Sequence, residues 1–173
     1  MEIRKAEWID SDTVVGMLKD TALWLNEQGS SQWADVLEGT DKHDLLGAIK
    51  KGDVYLFTVV QQVVGIAAVW NTPTDWDKEL WQSLDFPERS YYIHRLIVHP
   101  AYRGKSYGSQ MLTILKSHFS DIADELRLDC ISTNPKLISL YSRNGFTNKG
   151  TVKESKGGEF ELFSYQINQQ KNN

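Results

Sequence analysis

Apolar and polar residues recur along the chain with two spacings, one typical of helices and one typical of strands. Helical spacing over Asp10 to Asn26, with Ser11 as a plausible N-cap, predicts a first helix. Similar spacing over Asp41 to Lys50 predicts a second, shorter helix. Two β-rich runs flank a polar turn at Gln61–Gln62 and predict a hairpin. The polar, Trp-rich stretch Asn71 to Arg89 is longer than a usual connection, so we expect a functional loop or a helical turn there.

The second half of the chain follows the same two patterns. The run "YYIHRLIV" predicts a strand, Gly108 to Phe119 a helix, and "LRLDCIS" another strand. A short helix then begins with Asn134 at the N-cap and Pro135 at its first position. A closing hairpin has Gly157–Gly158 near its turn. The element order predicts a mixed α/β fold of about seven strands and about four helices, as one domain over 1–168 with a polar tail at 169–173.

Composition narrows the possible functions. The chain has 173 residues and a formal net charge of -4, so a nucleic acid is not the expected partner. Cys130 is the only cysteine, which suits a reducing cytoplasm. Neither an apolar signal segment nor a run long enough to cross a membrane is expected, so we predict a cytoplasmic protein with no membrane contact. The histidines and the cysteine lack metal-ligand spacing, and no metal site is predicted.

The stretch "RLIVHPAYRGKSYGSQML" carries the clearest chemical signal. Its "GKS" resembles the end of a P-loop. That pattern requires a glycine at position 99, where this chain has His99, so the P-loop interpretation fails. A strand that runs through a basic turn into a helix still favours an anion, because a helix start presents N–H donors and the positive end of the helix dipole. Arg103 and Lys105 add charge, and Gly104 and Gly108 permit close approach of the backbone. A solvated basic turn is the alternative.

Two separated motifs resemble those of the GNAT superfamily of N-acetyltransferases. The acetyl-CoA signature of that family, [RQ]-x-x-G-x-[GA] after a strand ending "L-x-V-x-P", is matched at Arg103 and Gly108, whereas Ser106 replaces its middle glycine. The later motif is similar to "TNPKLISLYSRNGF", with Asn134, Tyr141 and Gly145–Phe146 at matching spacing. The segment "WLNEQGSSQW" and the element order also resemble the family, so the resemblance covers nearly the whole chain.

The resemblance implies a GNAT-like, mostly antiparallel sheet that splays between its fourth and fifth strands. It also implies transfer of an acetyl group from acetyl-CoA to a primary amine of a small molecule or protein, by direct attack in a ternary complex. The exposed strand edge would pair with the pantetheine arm, and a strand N–H there would stabilise the oxyanion. The implied cofactor-binding residues are Leu96, Ile97, Val98, Arg103, Gly104, Lys105, Ser106, Tyr107, Gly108, Ser109, Asn134 and Tyr141.

The residues offer candidates for the remaining chemical roles. Tyr141 maps to the family's proton donor for the departing thiolate. His94 is the candidate base, although strand alternation places it on the face of Leu96 and Val98, which favours a structural role. Glu88 and Tyr92 are the alternative bases. Trp33, Trp70 and Tyr92 are the candidate substrate-binding residues, and the acidic stretch Asn71 to Arg89 would attract a cationic amine.

Some interpretations remain open at this point. Because Ser106 replaces the motif glycine, a second hypothesis is a non-catalytic acyl-CoA-binding module of the same fold. A nucleotide-binding protein using "GKS" is a third. His99 is expected in the loop or in contact with the cofactor turn, and Cys130 is expected to be a small buried residue rather than a nucleophile. A monomer and a homodimer are both compatible with the sequence.

Overall fold

The computed structural model describes residues 1–167, which contain seven strands and six α-helices. The strands are β1 (Glu2–Lys5), β2 (Val54–Val59), β3 (Gln62–Trp70), β4 (Ser90–Val98), β5 (Glu125–Ile131), β6 (Thr147–Lys153) and β7 (Glu159–Gln166). The helices are α1 (Ser11–Glu27), α2 (Ala34–Leu37), α3 (Leu45–Lys51), α4 (Asp75–Leu80), α5 (Tyr107–His118) and α6 (Pro135–Arg143). The predicted tail at 169–173 lies outside the described residues.

All seven strands belong to one sheet with the order β1-β2-β3-β4-β5-β7-β6. The β1–β2, β2–β3, β5–β7 and β6–β7 pairs are antiparallel, and β4–β5 is parallel. The predicted mixed, mostly antiparallel sheet of seven strands is therefore confirmed. The β4–β5 ladder runs from Ser90↔Glu125 to Tyr92↔Arg127, although β4 continues to Val98. The predicted splay between these strands stays a prediction.

The chain divides into two compact units, and β4 contributes residues to both. The first unit comprises Met1–Val69 and His94–Met111, and the second comprises Trp70–Ile93 and the chain from Leu112 onward. The predicted single domain over 1–168 stays a prediction. In the part of the chain that the structure describes, no helix has the length and apolarity needed to cross a membrane. The core of the first unit includes Val14, Leu18, Leu56 and Ile66, and that of the second includes Trp81, Tyr92, Phe119 and Phe163.

The predicted first helix forms as α1, but its start differs by one residue. Asp10 is the N-cap, and Ser11, predicted to cap the helix, is its first helical residue. The cause is a short 3-10 helix at Trp8–Asp10 that leads directly into α1. The Ser11 hydroxyl consequently donates to the Trp8 carbonyl oxygen at 2.6 Å.

The predicted helix over Asp41 to Lys50 was too long at its start, because α3 begins only at Leu45. Asp41 forms a turn, with its Oδ2 accepting from the Leu45 N–H at 2.9 Å. Asp44 is the N-cap, with a left-handed φ of +45°, and it accepts from the Gly47 N–H. His43, which was expected on a helix, lies in this turn. α2 was not predicted, because four residues are too few to produce a helical period.

The turn of the β2–β3 hairpin lies one residue earlier than predicted. Val60 and Gln61 occupy it, with φ values of +48° and +63°, and Gln62 already belongs to β3. Two consecutive left-handed residues match the right-handed twist of the flanking strands, so the turn geometry prevails over the polar dipeptide. The helical turn expected in the Trp-rich stretch is present as α4, which begins with a capping box between Thr74 and Asp77. With α2 and α4, the helices number six rather than about four.

Candidate active site

The basic turn connects β4 to α5 through a short 3-10 helix at Pro100–Tyr102. Gly104 has a left-handed φ of +81°, and a Cβ atom at this position would meet no heavy atom within 4 Å. α5 begins at Tyr107, one residue earlier than predicted, and runs for twelve residues. An open, glycine-bearing turn at the start of a helix of this length can receive a phosphate on its backbone N–H groups.

Ser106 stands where the family motif has glycine, and its φ is +57°. A side chain with a Cβ atom is strained in this region by about 1–2 kcal/mol, whereas glycine is not. Ser106 thus has the left-handed conformation that a glycine at this position of the motif would favour. The sequence showed the departure, and the structure gives its physical consequence, which is a strained residue in the middle of the turn.

Helix α1 contacts both sides of this turn. The Arg103 guanidinium lies 3.5 Å from the centroid of the Trp24 ring, and burial lowers the pKa of Arg103. His99 Nδ1 accepts from the Ala101 N–H at 3.2 Å, and His99 Nε2 lies 2.8 Å from Asp20 Oδ2. Because Nδ1 is an acceptor, Nε2 carries the proton and donates to the carboxylate. His99 was expected in the loop or in contact with the cofactor turn, and it lies in the loop directly after β4, where it bonds to the Ala101 N–H.

The strand segment before the turn is packed closely against β3. Ile97 is buried, and Leu96 and Val98 are half-buried. The His99 N–H donates to the Val64 carbonyl at 2.9 Å. A Cβ atom on Gly65 would lie 2.5 Å from the Ile97 carbonyl oxygen, so only glycine lets the two backbones approach this closely.

Arg95, which the sequence did not single out, is a buried arginine in the first unit whose polar partners are half-buried. Its Nη2 donates to Asp41 Oδ1 at 3.1 Å and to Asp35 Oδ2 at 3.3 Å. Its guanidinium carbon lies 4.7 Å from the centroid of the Trp33 ring. The signal in the sequence was an arginine inside a mostly apolar strand, because charged residues are rarely buried unless they are paired.

Strand alternation does not hold through β4, which changes the interpretation of His94. Arg95 has a φ of +48°, and the strand is buried without interruption from Tyr92 to Arg95. The side of the strand on which His94 lies therefore cannot be inferred from Leu96 and Val98 by alternation. His94 is buried, and its ring centroid lies 4.7 Å from that of His43. Burial, together with His94, Arg95 and Lys42, lowers the pKa of His43 to about 2.

The later motif lies in the second unit and has the predicted local structure. Asn134 caps α6, with its Oδ1 accepting from the Leu137 N–H at 3.2 Å. Tyr141 is buried on α6, and its ring contacts Phe163 edge-on, with centroids 5.4 Å apart. Burial, and to a smaller extent Cys130 and Asp129, raises the pKa of Tyr141. The Tyr141 hydroxyl therefore keeps its proton at neutral pH.

Other predicted residues are found in different surroundings. Cys130 is buried as expected, and burial raises the pKa of its thiol to about 12, so a nucleophilic thiolate is not available. Tyr92 is 1% exposed, and its ring centroid lies 5.9 Å from the Arg127 guanidinium. Trp70 is half-buried at the end of β3, and Glu88 is exposed. Contacts of Trp33, Trp70 and Tyr92 with an acceptor stay predictions.

The sequence of this chain is similar to sequences of known acetyltransferases. The sequence profile of the Acetyltransferase (GNAT) family matches residues 9–146. An uncharacterized N-acetyltransferase of Bacillus subtilis, YesJ, is 35% identical over 147 residues, which are 84% of this chain and 81% of that protein.

Solved structures resemble the whole chain. A GNAT-family acetyltransferase from Listeria monocytogenes is 34% identical, with a TM-score of 0.79 over 95% of this chain and 94% of that one. A putative acetyltransferase from Salmonella typhimurium, solved with acetyl-CoA, has the same fold at 20% identity, with a TM-score of 0.70 over 97% and 94% of the two chains. The chain belongs to the GNAT acetyltransferase family and is therefore an acyltransferase whose donor is acetyl-CoA.

Proposed function

We propose that this protein transfers an acetyl group from acetyl-CoA to a primary amine of a small molecule or a protein, by direct attack in a ternary complex. The observation that carries the proposal is the turn between β4 and α5. Gly104 and Ser106 are both left-handed there, and the turn opens directly into a twelve-residue helix. Such a turn suits the pyrophosphate of coenzyme A, because it combines backbone N–H donors with the positive end of a helix dipole.

The donor would be held by backbone as much as by side chains. The turn and the first residues of α5 would bind the pyrophosphate, and the edge of β4 would pair with the amide groups of the pantetheine arm. Bound acetyl-CoA supplies the thioester whose acetyl carbon the amine attacks. A backbone N–H of Leu96 to Val98, directly after the left-handed Arg95, would stabilise the oxyanion. The proposed cofactor-binding residues are Leu96, Ile97, Val98, Arg103, Gly104, Lys105, Ser106, Tyr107, Gly108, Ser109, Asn134 and Tyr141.

Tyr141 is proposed as the proton donor. As the carbon–sulfur bond breaks, its hydroxyl would give a proton to the departing sulfur, and the acetylated amine would lose one. Burial raises the pKa of Tyr141 above its usual value, so the hydroxyl is protonated at neutral pH, as a proton donor must be. Its buried ring, packed against Phe163, would hold the hydroxyl in one orientation.

His94 is the proposed base that takes the proton from the attacking amine. It is buried on β4 directly before the left-handed Arg95, so its ring has little freedom to move. Trp33, Trp70 and Tyr92 are proposed to contact the acceptor. The contact between the Trp33 ring and the guanidinium of Arg95 supports this proposal, because aromatic rings attract cations.

Two measurements test the proposal in order. Calorimetry with acetyl-CoA tests binding of the donor, and release of free thiol in the presence of amines tests transfer. The amine panel should include polyamines, amino sugars, lysine and peptides with free N-termini. Binding without thiol release from any of these amines would favour the alternative, a non-catalytic acyl-CoA-binding module, and absence of binding would contradict both.

A pair of variants tests the role of Tyr141. We expect Tyr141→Phe to lower turnover by about 10²- to 10⁴-fold, the usual contribution of a general acid, while the Kd for CoA stays near that of the wild type. Tyr165→Phe is the matched control, since Tyr165 is a half-buried tyrosine of the same unit whose ring packs against Phe146. Equal turnover in the two variants would remove Tyr141 from the acid role.

A further inference from the structure

Arg95 contacts three residues of one short segment, residues 33–41. Its side chain is 1% exposed, and one nitrogen, Nη2, bonds to both Asp35 and Asp41. The ring of Trp33 lies against the guanidinium, and among residues 1–167 the nitrogens Nε and Nη1 have no hydrogen-bond partner. A single buried side chain therefore connects β4 to this segment.

The two aspartates also organise the segment itself. Asp41 accepts from the His43 N–H at 3.1 Å and from the Leu45 N–H at 2.9 Å. Asp35 accepts from the Lys42 N–H at 3.1 Å through Oδ2, the same oxygen that meets Arg95. Each carboxylate thus has a local turn on one side and the guanidinium on the other. Loss of the guanidinium would leave two neighbouring carboxylates without their counter-charge.

The backbone of this cluster is strained at two residues that contact each other. Arg95 has a φ of +48° and Trp33 a φ of +60°, and neither is a glycine. Such conformations persist only where the surrounding structure holds them, and they concentrate at functional sites. The strained residue of β4 immediately precedes Leu96 to Val98, the segment proposed to receive the acetyl carbonyl.

We propose that Arg95 is a positioning residue for the acetyl group. Its bonds to Asp35 and Asp41 and its stacking on Trp33 hold β4 in the left-handed bend, and the bend sets the direction of the strand N–H groups that follow. Arginine suits this role better than lysine, because a planar guanidinium can make two directed bonds and stack at the same time. The inference rests on the proposed function, since it concerns the same donor site.

The test compares two ligands that differ only in the acetyl group. Acetyl-CoA and CoA share their phosphates and their pantetheine arm, so the ratio of their Kd values isolates the contribution of the acetyl group. Both constants are measured by calorimetry for the wild type and for Arg95→Lys. We expect Arg95→Lys to reduce the preference for acetyl-CoA over CoA by about threefold to tenfold, the usual worth of one hydrogen bond. The Kd for CoA itself should stay close to that of the wild type.

Arg127→Lys is the matched control. Arg127 is also buried, its Nε bonds to Glu125 Oε2 at 2.9 Å, and its guanidinium carbon lies 4.4 Å from the centroid of the Trp81 ring. Within residues 1–167 Arg127 is not among the left-handed residues. Its replacement therefore removes a buried arginine at a position where the backbone has no left-handed bend. We expect a less stable protein with an unchanged ratio.

A second variant keeps the proposal testable if Arg95→Lys does not fold. Asp35→Asn leaves Arg95 paired with Asp41 and should shift the ratio in the same direction by a smaller factor. An unchanged ratio in every folded Arg95 or Asp35 variant, or an equal shift in Arg127→Lys, would overturn the positioning role alone. A wild-type protein that binds neither CoA nor acetyl-CoA would overturn the proposed function as well.

Discussion

The guanidinium of Arg103 lies 3.5 Å from the centroid of the Trp24 ring, and this contact joins the turn between β4 and α5 to helix α1. One helical turn earlier on the same face, Asp20 accepts from His99 at 2.8 Å. The two contacts lie on either side of Ala101 and Tyr102, so α1 supports the turn at two points. The geometry that the turn offers to a phosphate therefore depends on a helix far from it in sequence.

Removal of the Trp24 ring should weaken binding of the donor. A cation–π contact is worth about 0.5–2 kcal/mol, so we expect Trp24→Leu to raise the Kd for CoA by roughly twofold to thirtyfold. Calorimetry measures this change. Trp8→Leu is the control, because Trp8 is an exposed tryptophan of the same unit that also lies under a cation, Lys50, at 4.7 Å. A Kd that changes equally in both variants would contradict support of the turn by α1.

Relief of the strain at Ser106 should stabilise the protein. The left-handed φ of +57° costs a residue with a Cβ atom about 1–2 kcal/mol, and the greater entropy of unfolded glycine offsets part of the gain. We expect Ser106→Gly to raise the free energy of unfolding by about 0.5–1 kcal/mol relative to Ser106→Ala, which keeps the Cβ atom. Urea denaturation of both variants gives the difference. A glycine variant less stable than the alanine variant would show that Ser106 is not strained.

Gly65 should tolerate no side chain. A Cβ atom would lie 2.5 Å from the Ile97 carbonyl oxygen and 2.7 Å from Met111 Sδ, and the backbone oxygen has little freedom to move. We expect Gly65→Ala to lower the free energy of unfolding by about 1–3 kcal/mol, as overpacking does. Gly16→Ala is the control, since Gly16 lies inside α1 with no heavy atom near its Cβ position, and it should stabilise by up to about 1 kcal/mol. Equal effects of the two substitutions would contradict the close approach of β3 and β4.

His43 should make the protein less stable as the pH falls below about 6.5. Its pKa is about 2 in the folded state and about 6.5 in an unfolded chain, so the unfolded state binds a proton that the folded state does not. Its contribution to stability is present above pH 6.5 and is lost towards pH 2, by at most about 1.4 kcal/mol per pH unit. We expect the free energy of unfolding to depend less steeply on pH between 6.5 and 4.5 in His43→Gln.

The control for this measurement is His118→Gln. His118 is exposed in the last turn of α5, so comparison of the two variants separates the loss of a buried histidine from the loss of a surface one. Urea denaturation at several pH values gives both slopes. A wild-type slope in His43→Gln would show that the protonation state of His43 is the same in the folded and unfolded protein.

Local sequence signals predicted the elements that depend on neighbouring residues. Asn134 and Pro135 begin α6 as expected, because capping requires only residues three positions apart. The shift of the hairpin turn to Val60 and the late start of α3 show the limit of such signals. Both depend on left-handed residues that are not glycine, and their identity does not predict that conformation.

The sequence by itself determined the family, the seven-stranded sheet and the turn that suits a pyrophosphate, because these are encoded by residues adjacent or closely spaced along the chain. Only the tertiary structure decided the surroundings of Arg95. Its partners Asp41 and Asp35 lie 54 and 60 positions away, and the bend that brings them together contradicts strand alternation. An ion pair between distant residues forms only when the fold brings the two charges together and removes them from water. No local sequence pattern therefore predicts it.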